Sequence, residues 1–422
     1  MNILLLGSGG RESALARVIA KSSLTENFFI SPGNPGMEQY GKCIELKGFE
    51  NMGNFCMQNR IDMLVVGPEQ PLVDGISDFF AGTKGLKNIV VIGPNKTAAQ
   101  LEGSKDFSKQ FMQRHDIPTA RYQTFNAKTV EQGKKFLQTL NPPYVLKADG
   151  LAAGKGVVIA QNLDQAKKEL EEMLLDAKFG QASSQVVIEE YLNGIECSVF
   201  VLTDGKNYVL LPEAKDYKRA GEGDTGLNTG GMGSISPVKF CTEEFLNKVK
   251  TRIIDRTIQG LQKENIHYQG FIFFGLMNVE GNPYVIEYNV RMGDPESESV
   301  FARFDSDIVK AFSLIKEQRL NEYQIKISPQ TAATVMLCSG GYPQEYEKGK
   351  VINGLDSTED AIVYHAGTKN ENGKTVTAGG RVIAVTCLSD GLQAALDKCY
   401  RNIGKISFDN KYFRKDIGKD LL

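Results

Sequence analysis

Short unbroken apolar runs, each closed by glycine, proline or asparagine, set the rhythm of the first hundred residues. Ile3 to Leu6, Met63 to Val66 and Ile89 to Ile92 end in Gly7-Ser8-Gly9-Gly10, Gly67-Pro68-Glu69 and Gly93-Pro94-Asn95. Runs of this length between turn formers read as strands buried on both faces, the pattern of a parallel sheet. The Ala-rich stretch Arg11 to Lys21 reads as a helix fed by the first glycine turn, and Phe28 to Ile30 as the next strand. Residues 1–103 therefore predict a small doubly wound domain, with its ligand loops at one sheet edge.

A different pattern follows. Ser104 is placed to cap a helix running to about His115, which Pro118 ends. Tyr144 to Lys147 and Val157 to Ile159 read as strands joined by the glycine-rich stretch Asp149 to Gly156, with a helix over Leu163 to Ala177. Gln185 to Leu192 is a buried strand running into an acidic turn, and Thr242 to Asn265 a long amphipathic helix. Gly270 to Asn278 should pair antiparallel with the strand ending near Ile286, across Gly281-Asn282. Between them Pro212 to Pro237 has almost no apolar periodicity and is expected to be a loop, either functional or disordered. From about Gln330 the strands Thr331–Cys338 and Val382–Thr386 and the helix Gly391–Ile403 suggest a third, mixed domain.

Composition narrows the function. A length of 422 residues calls for more than one core. A formal net charge of -2 gives no basic footprint, so nucleic acid is not an expected partner. Seven cysteines, without a CxxC pair, fit a reducing cytosol better than disulfides or zinc. The apolar run before Gly7 is too short for a signal sequence, and nothing approaches the ~18 apolar residues of a membrane helix. A cytoplasmic protein without a membrane partner is expected.

The chemistry concentrates in Tyr284 to Glu298, YVIEYNVRMGDPESE. Alternation along a strand puts Glu287, Asn289 and Arg291 on one face. A carboxylate and an amide oxygen two residues apart suit a hard cation such as Mg²⁺, and Arg291 suits a phosphate or carboxylate. The same alternation also describes a solvated sheet face. Gly7 to Gly10 before a helix is an anion site, and Arg11 beside it suits a sugar phosphate. Glu12 at the sixth position of GxGxxG, with no acid after the second strand, argues against a nicotinamide fingerprint. Glu69 either binds sugar hydroxyls or is a solvated loop acid. The stretch Gly150 to Gly156, with Gly154 and Lys155, is not a P-loop, because Gly156 replaces the Ser or Thr after the lysine. Flanked by strands, it reads as a hairpin, either a flap over phosphates served by Lys105 and Lys147 or a plain turn. The edge at Glu189, Glu190 and Tyr191 can read an adenine, with Glu196 on a ribose. Asp216, Lys218, Arg219, Asp224, Asn228 and Thr229 lie among glycines that permit close backbone approach. His365 is either catalytic or, more in keeping with a strand end, structural.

Taken together, GSGGRE, GPEQPLV, LEGSK, KADGLAAGKGV, VIEEYLNGIECS, DTGLNTGGMGS, GFIFFGLM, IEYN with RMGDPE, GGYP, HAGT and GGRV run through the chain in the order of a known family. The chain resembles the phosphoribosylamine–glycine ligases of the ATP-grasp superfamily. The resemblance implies an α/β and α+β multidomain fold. It comprises a doubly wound N-terminal domain over 1–103, an ATP-grasp core over 104–329 with a flap at about 121–192, and a mixed C-terminal domain over 330–422. It implies ATP-dependent joining of glycine to 5-phosphoribosylamine through a glycyl phosphate, with another ATP-grasp carboxylate–amine ligase as the alternative, and a chain that works as a possible monomer. By the same resemblance Lys105, Lys147, Gly150, Gly154, Lys155 and Gly156 hold the triphosphate. Glu189, Tyr191 and Leu192 take the adenine, Glu196 the ribose, and Glu287 and Asn289 bind Mg²⁺ or Mn²⁺. Arg291, Lys147 and Asp216 are the expected catalytic groups. Gly9, Gly10, Arg11 and Glu69 would face phosphoribosylamine, Asp216, Lys218 and Arg219 the glycine and its acyl phosphate, and Asn228, Thr229 and Asp294 complete the substrate-binding set. Ser13, Tyr217, Met292 and Glu298 stand where the family pattern has histidine, histidine, phenylalanine and glutamine.

Overall fold

The computed structural model of the protein describes residues 1–151, 156–176, 178 and 184–422. Its first sheet is built from β1 (Asn2–Gly7), β2 (Asn27–Pro32), β3 (Lys42–Cys43), β4 (Met63–Val66) and β5 (Val90–Ile92), all parallel, in the order β3-β2-β1-β4-β5. Leu4 and Leu6 pack into one core and Ile3 and Leu5 into another, so β1 is buried on both faces. The strand order reverses between β1 and β4, and the loops that leave these two strands open a crevice there. Glu69 lies in that crevice as the first residue of the helix Glu69–Asp74, where a loop was expected.

The strands β6 (Tyr122–Asn126), β7 (Tyr144–Ala148), β8 (Val157–Ala160) and β9 (Gln185–Glu190) form an antiparallel sheet in the order β6-β9-β7-β8. The helices Val130–Leu137 and Leu163–Leu174 help to cover it with a separate apolar core that includes Phe125, Leu146, Leu170 and Ile188. This core is distinct from the two that fill the other sheets. The β7–β8 hairpin predicted from the sequence is present, with Lys147 opposite Val157.

The next strands are β10 (Ile195–Thr203), β11 (Tyr208–Leu210), β12 (Lys215–Asp216), β13 (Arg219–Gly221), β14 (Thr225–Asn228) and β15 (Gly233–Ser236). Four of them lie in the stretch expected to be a loop. That expectation is corrected: β13 and β14 form a hairpin, and β12 and β15 join the sheet of the C-terminal part. Glycines hid the pattern, because partners far away in sequence supply the pairing that local apolar residues usually signal. The long helical stretch Glu243–Lys263 is one run with a π turn at Lys250–Ile254.

β16 (Gly270–Val279) and β17 (Asn282–Asn289) form the central hairpin, in a sheet ordered β11-β10-β16-β17. Its two-residue turn is Glu280-Gly281, at φ 49° and 77°, the backbone that matches the twist of the strands. After it come β18 (Thr331–Cys338), β19 (Ile362–His365), β20 (Thr368–Glu371), β21 (Lys374–Thr377) and β22 (Arg381–Ser389). The C-terminal sheet runs β12-β15-β18-β22-β19, with the helix Leu392–Ile403 against β18 and β22. No helix among the described residues is long and apolar enough to cross a membrane.

Candidate active site

β17 carries a bulge where the site begins. Gly275 faces Glu287 while Leu276 faces Val285, which leaves Ile286 as the extra residue. Strict alternation would put Val285, Glu287 and Asn289 on one face, yet Val285 and Tyr288 both enter the same core. The bulge reverses the parity, so Glu287 and Asn289 turn away from that core. It also leaves the Ile286 carbonyl out of the ladder, where it accepts from Lys147 Nζ at 3.3 Å. The expected one-face triplet is corrected: the strand ends at Asn289, and Arg291 lies beyond it.

Lys105 opens the helix Lys105–Arg114, whose cap Ser104 accepts from the Phe107 amide at 3.1 Å. Asp149, just after β7, locks this helix to the end of that strand, taking the Asp106 amide at 2.8 Å and the Ser104 hydroxyl at 3.1 Å. Lys105 Nζ donates to the Gly150 carbonyl at 3.1 Å. Burial pulls its pKa down, opposed by Glu287. Gly154 and Lys155 lie outside the described residues.

Lys147 and Glu189 sit diagonally across the β7–β9 ladder, and Lys147 Nζ meets Glu189 Oε1 at 3.0 Å. A second lysine that the sequence reading missed, Lys109, meets Glu189 Oε2 at 3.0 Å. Burial pushes the Lys109 amine down to about 8. Although burial works the other way, the two lysines hold the Glu189 carboxyl below its ordinary value. The Glu189 carboxylate is thus spent on two cations rather than left open toward an adenine. The available signal was the four-residue spacing of Lys105 and Lys109 on one helix face. Tyr191 and Leu192 follow β9 directly, and Tyr191 is exposed.

Asp216 ends β12 near Glu287, Glu196 and Lys218. Burial raises the Asp216 carboxyl, and Lys218 opposes it. Lys218 Nζ pairs with Glu196 Oε2 at 2.6 Å. Glu296, another residue not anticipated, accepts from the Ser198 hydroxyl at 3.1 Å. Burial raises its carboxyl to about 7, and Asp216 adds to the effect. Thr229 steadies the turn by donating to the Lys218 carbonyl at 2.8 Å. Arg219, expected at the substrate, instead folds onto its own hairpin, donating to the Gly226 carbonyl at 2.9 Å, with Asn228 opposite it on β14. The reason is local: a two-stranded hairpin leaves free carbonyls within reach of a long side chain.

The crevice of the first sheet gathers arginines and acids. Glu12 sits between Gly7 and Gly67, at positions where any Cβ would collide with it, and accepts from the Gly9 amide at 2.7 Å. Arg11 Nε meets Glu12 Oε1 at 2.8 Å, and Arg11 Nη1 donates to the Met292 carbonyl at 2.9 Å. Glu69 Oε2 lies between Arg291 Nε at 3.5 Å and Arg11 Nη2 at 3.8 Å. Arg291 Nη2 pairs with buried Glu102 at 2.8 Å, an anchor the sequence reading did not single out. Asp294 accepts from the Arg11 amide at 3.2 Å and forms an ion pair with Arg381 Nη2 at 2.9 Å, so a C-terminal arginine reaches the N-terminal crevice. Though burial opposes it, Arg381 and Arg11 hold Asp294 below its ordinary range. His365 stands apart from β17, buried beside Gly36, with Nδ1 3.0 Å from the Thr368 hydroxyl, so its place is structural.

Glu287 and Asn289 offer one carboxylate and one amide oxygen. No group of three or more His, Cys, Asp or Glu able to hold a metal occurs among the described residues. Such a two-donor seat fits Mg²⁺ or Mn²⁺ that keeps water and phosphate oxygens in its shell, and does not fit an all-protein cage.

Family models for the phosphoribosylglycinamide synthetase N domain, ATP-grasp (A) domain and C domain match residues 1–102, 103–297 and 332–420. The chain is 43% identical to the phosphoribosylamine–glycine ligase of Clostridium acetobutylicum, covering 99% of this chain and 100% of the relative. It is 41% identical to a bifunctional purine biosynthetic protein of Pichia angusta, over 99% of this chain but 53% of that protein. The crystal structure of the Thermotoga maritima phosphoribosylamine–glycine ligase superposes with a TM-score of 0.87 at 34% identity, covering 99% of this chain and 100% of that one. A biotin carboxylase domain from Hydrogenobacter thermophilus shares the fold at 18% identity, covering 97% and 91% of the two chains, with a TM-score of 0.73. On these matches and this geometry, the chain belongs to the phosphoribosylamine–glycine ligase family, ADP-forming carbon–nitrogen ligases of purine biosynthesis in the ATP-grasp superfamily.

Proposed function

We propose that this chain performs the family reaction with its nucleotide between the flap hairpin and β17, and with phosphoribosylamine in the crevice of the first sheet. The observation that carries the reading is the bulge in β17. It turns Glu287 and Asn289 out of the core and offers the Ile286 carbonyl to Lys147, so metal seat and phosphate lysine share one edge.

A carboxylate is a poor electrophile. A glycine carboxylate oxygen attacks the terminal phosphorus of ATP, the bond to ADP breaks, and glycyl phosphate forms. The amine nitrogen of phosphoribosylamine then attacks the acyl carbon, phosphate leaves, and the amine's surplus proton passes to solvent. Lys105 and Lys147 bind the phosphates, Arg291 faces the transferring phosphoryl group, and Lys218 and Asp216 hold glycine by its two charges. Tyr191 and Leu192 present backbone to the adenine, and Glu196 takes the ribose. Gly9, Gly10, Arg11, Glu69 and Asp294 bind the phosphoribosyl end. Glu287 and Asn289 hold Mg²⁺ or Mn²⁺, which offsets phosphate charge when bound. Catalysis by positioning and charge stabilisation needs no protein nucleophile. Both the acyl phosphate and the amine hydrolyse readily, which gives a closing flap its purpose.

With this reading go domain limits of 1–103, 104–329 and 330–422, a flap over about 121–192, a cytoplasmic place of action and a monomer. The separate core under β6 to β9 supports the flap as a unit. The test is ADP release that requires glycine, phosphoribosylamine and Mg²⁺ together. Release with bicarbonate or another amino acid in place of glycine would instead favour a different ATP-grasp ligase.

A further inference from the structure

The helix Gly10–Ala20 begins against two carboxyl groups. A Cβ on Gly10 would collide with Glu298 Oε1 and lie 3.6 Å from Asp294 Oδ1, so both acids face one point beside the Gly9-Gly10 turn. Their surroundings differ. Asp294 has Arg381 Nη2 at 2.9 Å and the Arg11 amide at 3.2 Å. Glu298 is 0% exposed, and neither of its carboxyl oxygens has a hydrogen-bond partner. Its nearest guanidinium, Arg381, is already committed, with Nη1 donating to the carbonyls of Gly230 at 2.6 Å and Asp294 at 2.7 Å. The remaining titratable groups around it are Glu296 and the buried, unpartnered Tyr364 hydroxyl, with Arg17 beyond the tyrosine.

An ionised Glu298 would be a second carboxylate at the same helix start, buried and without a donor. Such a group stays neutral rather than pay for desolvation and repulsion together. We propose that Glu298 is a positioning residue: as a neutral acid packed on Gly10 beside the Asp294 carboxylate, it keeps the Gly9-Gly10 turn in the shape that receives the phosphoribosyl group. Losing its proton sets two carboxylates against each other and opens that turn. Burial pushes the Glu298 carboxyl well above its usual range, and Asp294 adds to the effect. The proposal rests on the assignment of the N-terminal crevice to phosphoribosylamine.

The test uses the full-length protein and glycinamide ribonucleotide, the stable product that carries the same phosphoribosyl end. Calorimetry gives its Kd for wild type and Glu298→Gln, whose amide is neutral at every pH. At alkaline pH the wild-type affinity is expected to have fallen by about tenfold more than that of Glu298→Gln, whose remaining slope is that of the ligand's own glycyl amine, and the two proteins should agree within about threefold at pH 7. Infrared spectroscopy follows the C=O stretch of a protonated carboxylic acid as a wild-type minus Glu298→Gln difference, which cancels the bands of the other raised carboxyls, Glu296, Asp216 and Glu102; the difference band should be present at pH 7 and be lost in step with the fall in affinity. Equal pH slopes in the two proteins, or no protonated-acid difference band between them near neutral pH, would overturn the proposal. A wild-type protein that shows the band but does not bind the product would instead remove the crevice assignment, and the positioning role with it. Should Glu298→Gln fail to fold, Glu298→Met, equally neutral at every pH, takes its place in both measurements.

Discussion

The Arg291 guanidinium meets the Glu102 carboxylate at 2.8 Å, and the other oxygen of that carboxylate accepts the Val290 amide at 2.8 Å. One buried acid therefore fixes both the side chain of the arginine and the backbone just before it. Burial raises the Glu102 carboxyl while Arg291 opposes it. Arg291→Ala should lower kcat by about 10²–10³-fold, as loss of a transition-state donor does. Glu102→Gln keeps an acceptor for Val290 but loses the charge, and should cost about tenfold in kcat with little change in KM. Steady-state kinetics on both variants decide this; near-normal turnover in Arg291→Ala removes it from the mechanism.

Lys109, Glu189 and Lys147 form a buried row of two cations about one anion. Glu189→Gln leaves two buried ammonium groups without a counter-charge and should destabilise by about 3–5 kcal/mol. Lys109→Met should be far milder, because Lys147 still neutralises Glu189, but that pull withdraws Lys147 from the nucleotide. Its expected signature is weaker ATP binding with nearly unchanged stability, and Lys147→Ala should weaken ATP binding further. Urea unfolding and nucleotide titration separate the two effects. Tight ATP binding by Lys147→Ala would count against a phosphate role.

Glu287 faces away from the core because of the bulge at Ile286. Glu287→Ala should therefore leave the unfolding midpoint nearly unchanged while raising the Mg²⁺ concentration for half-maximal turnover by about tenfold or more. A metal titration of activity beside a urea melt checks it. An unaltered Mg²⁺ requirement would take Glu287 out of the metal seat.

His365 is buried, and burial pushes its imidazole down from 6.5 to about 4. The unfolded chain takes up this proton near pH 6.5 and the folded chain only near 4, so the stability it supports is full above that range and lost as pH falls through it. The loss should reach at most about 3 kcal/mol. Urea unfolding at pH 7.5 and pH 5 should show a smaller drop for His365→Gln than for wild type; equal drops would mean that another group carries the acid sensitivity.

Much of the site could be read from short-range pattern. The glycine turns after β1 and β4, the β7–β8 hairpin and the Ser104 cap all lie where spacing put them. Strand length, alternation and capping are local properties, and a few neighbouring residues set them. The strands of 215–236 were not legible, because their partners are β18 and the hairpin's own backbone rather than an apolar rhythm of their own.

What the sequence by itself determined is the order of strands, helices and ligand loops, and the kinds of charge each loop carries. Tertiary structure decided which charges meet. The bulge opposite Gly275 chose the face of Glu287, a helix residue far upstream of β9 became the partner of Glu189, and Arg381 of β22 came to hold Asp294 beside the first helix. A buried charge takes whichever opposite charge the fold brings within reach, since an unpaired one is too costly to keep. That choice depends on distances between elements remote in the chain, which no local pattern of residues contains.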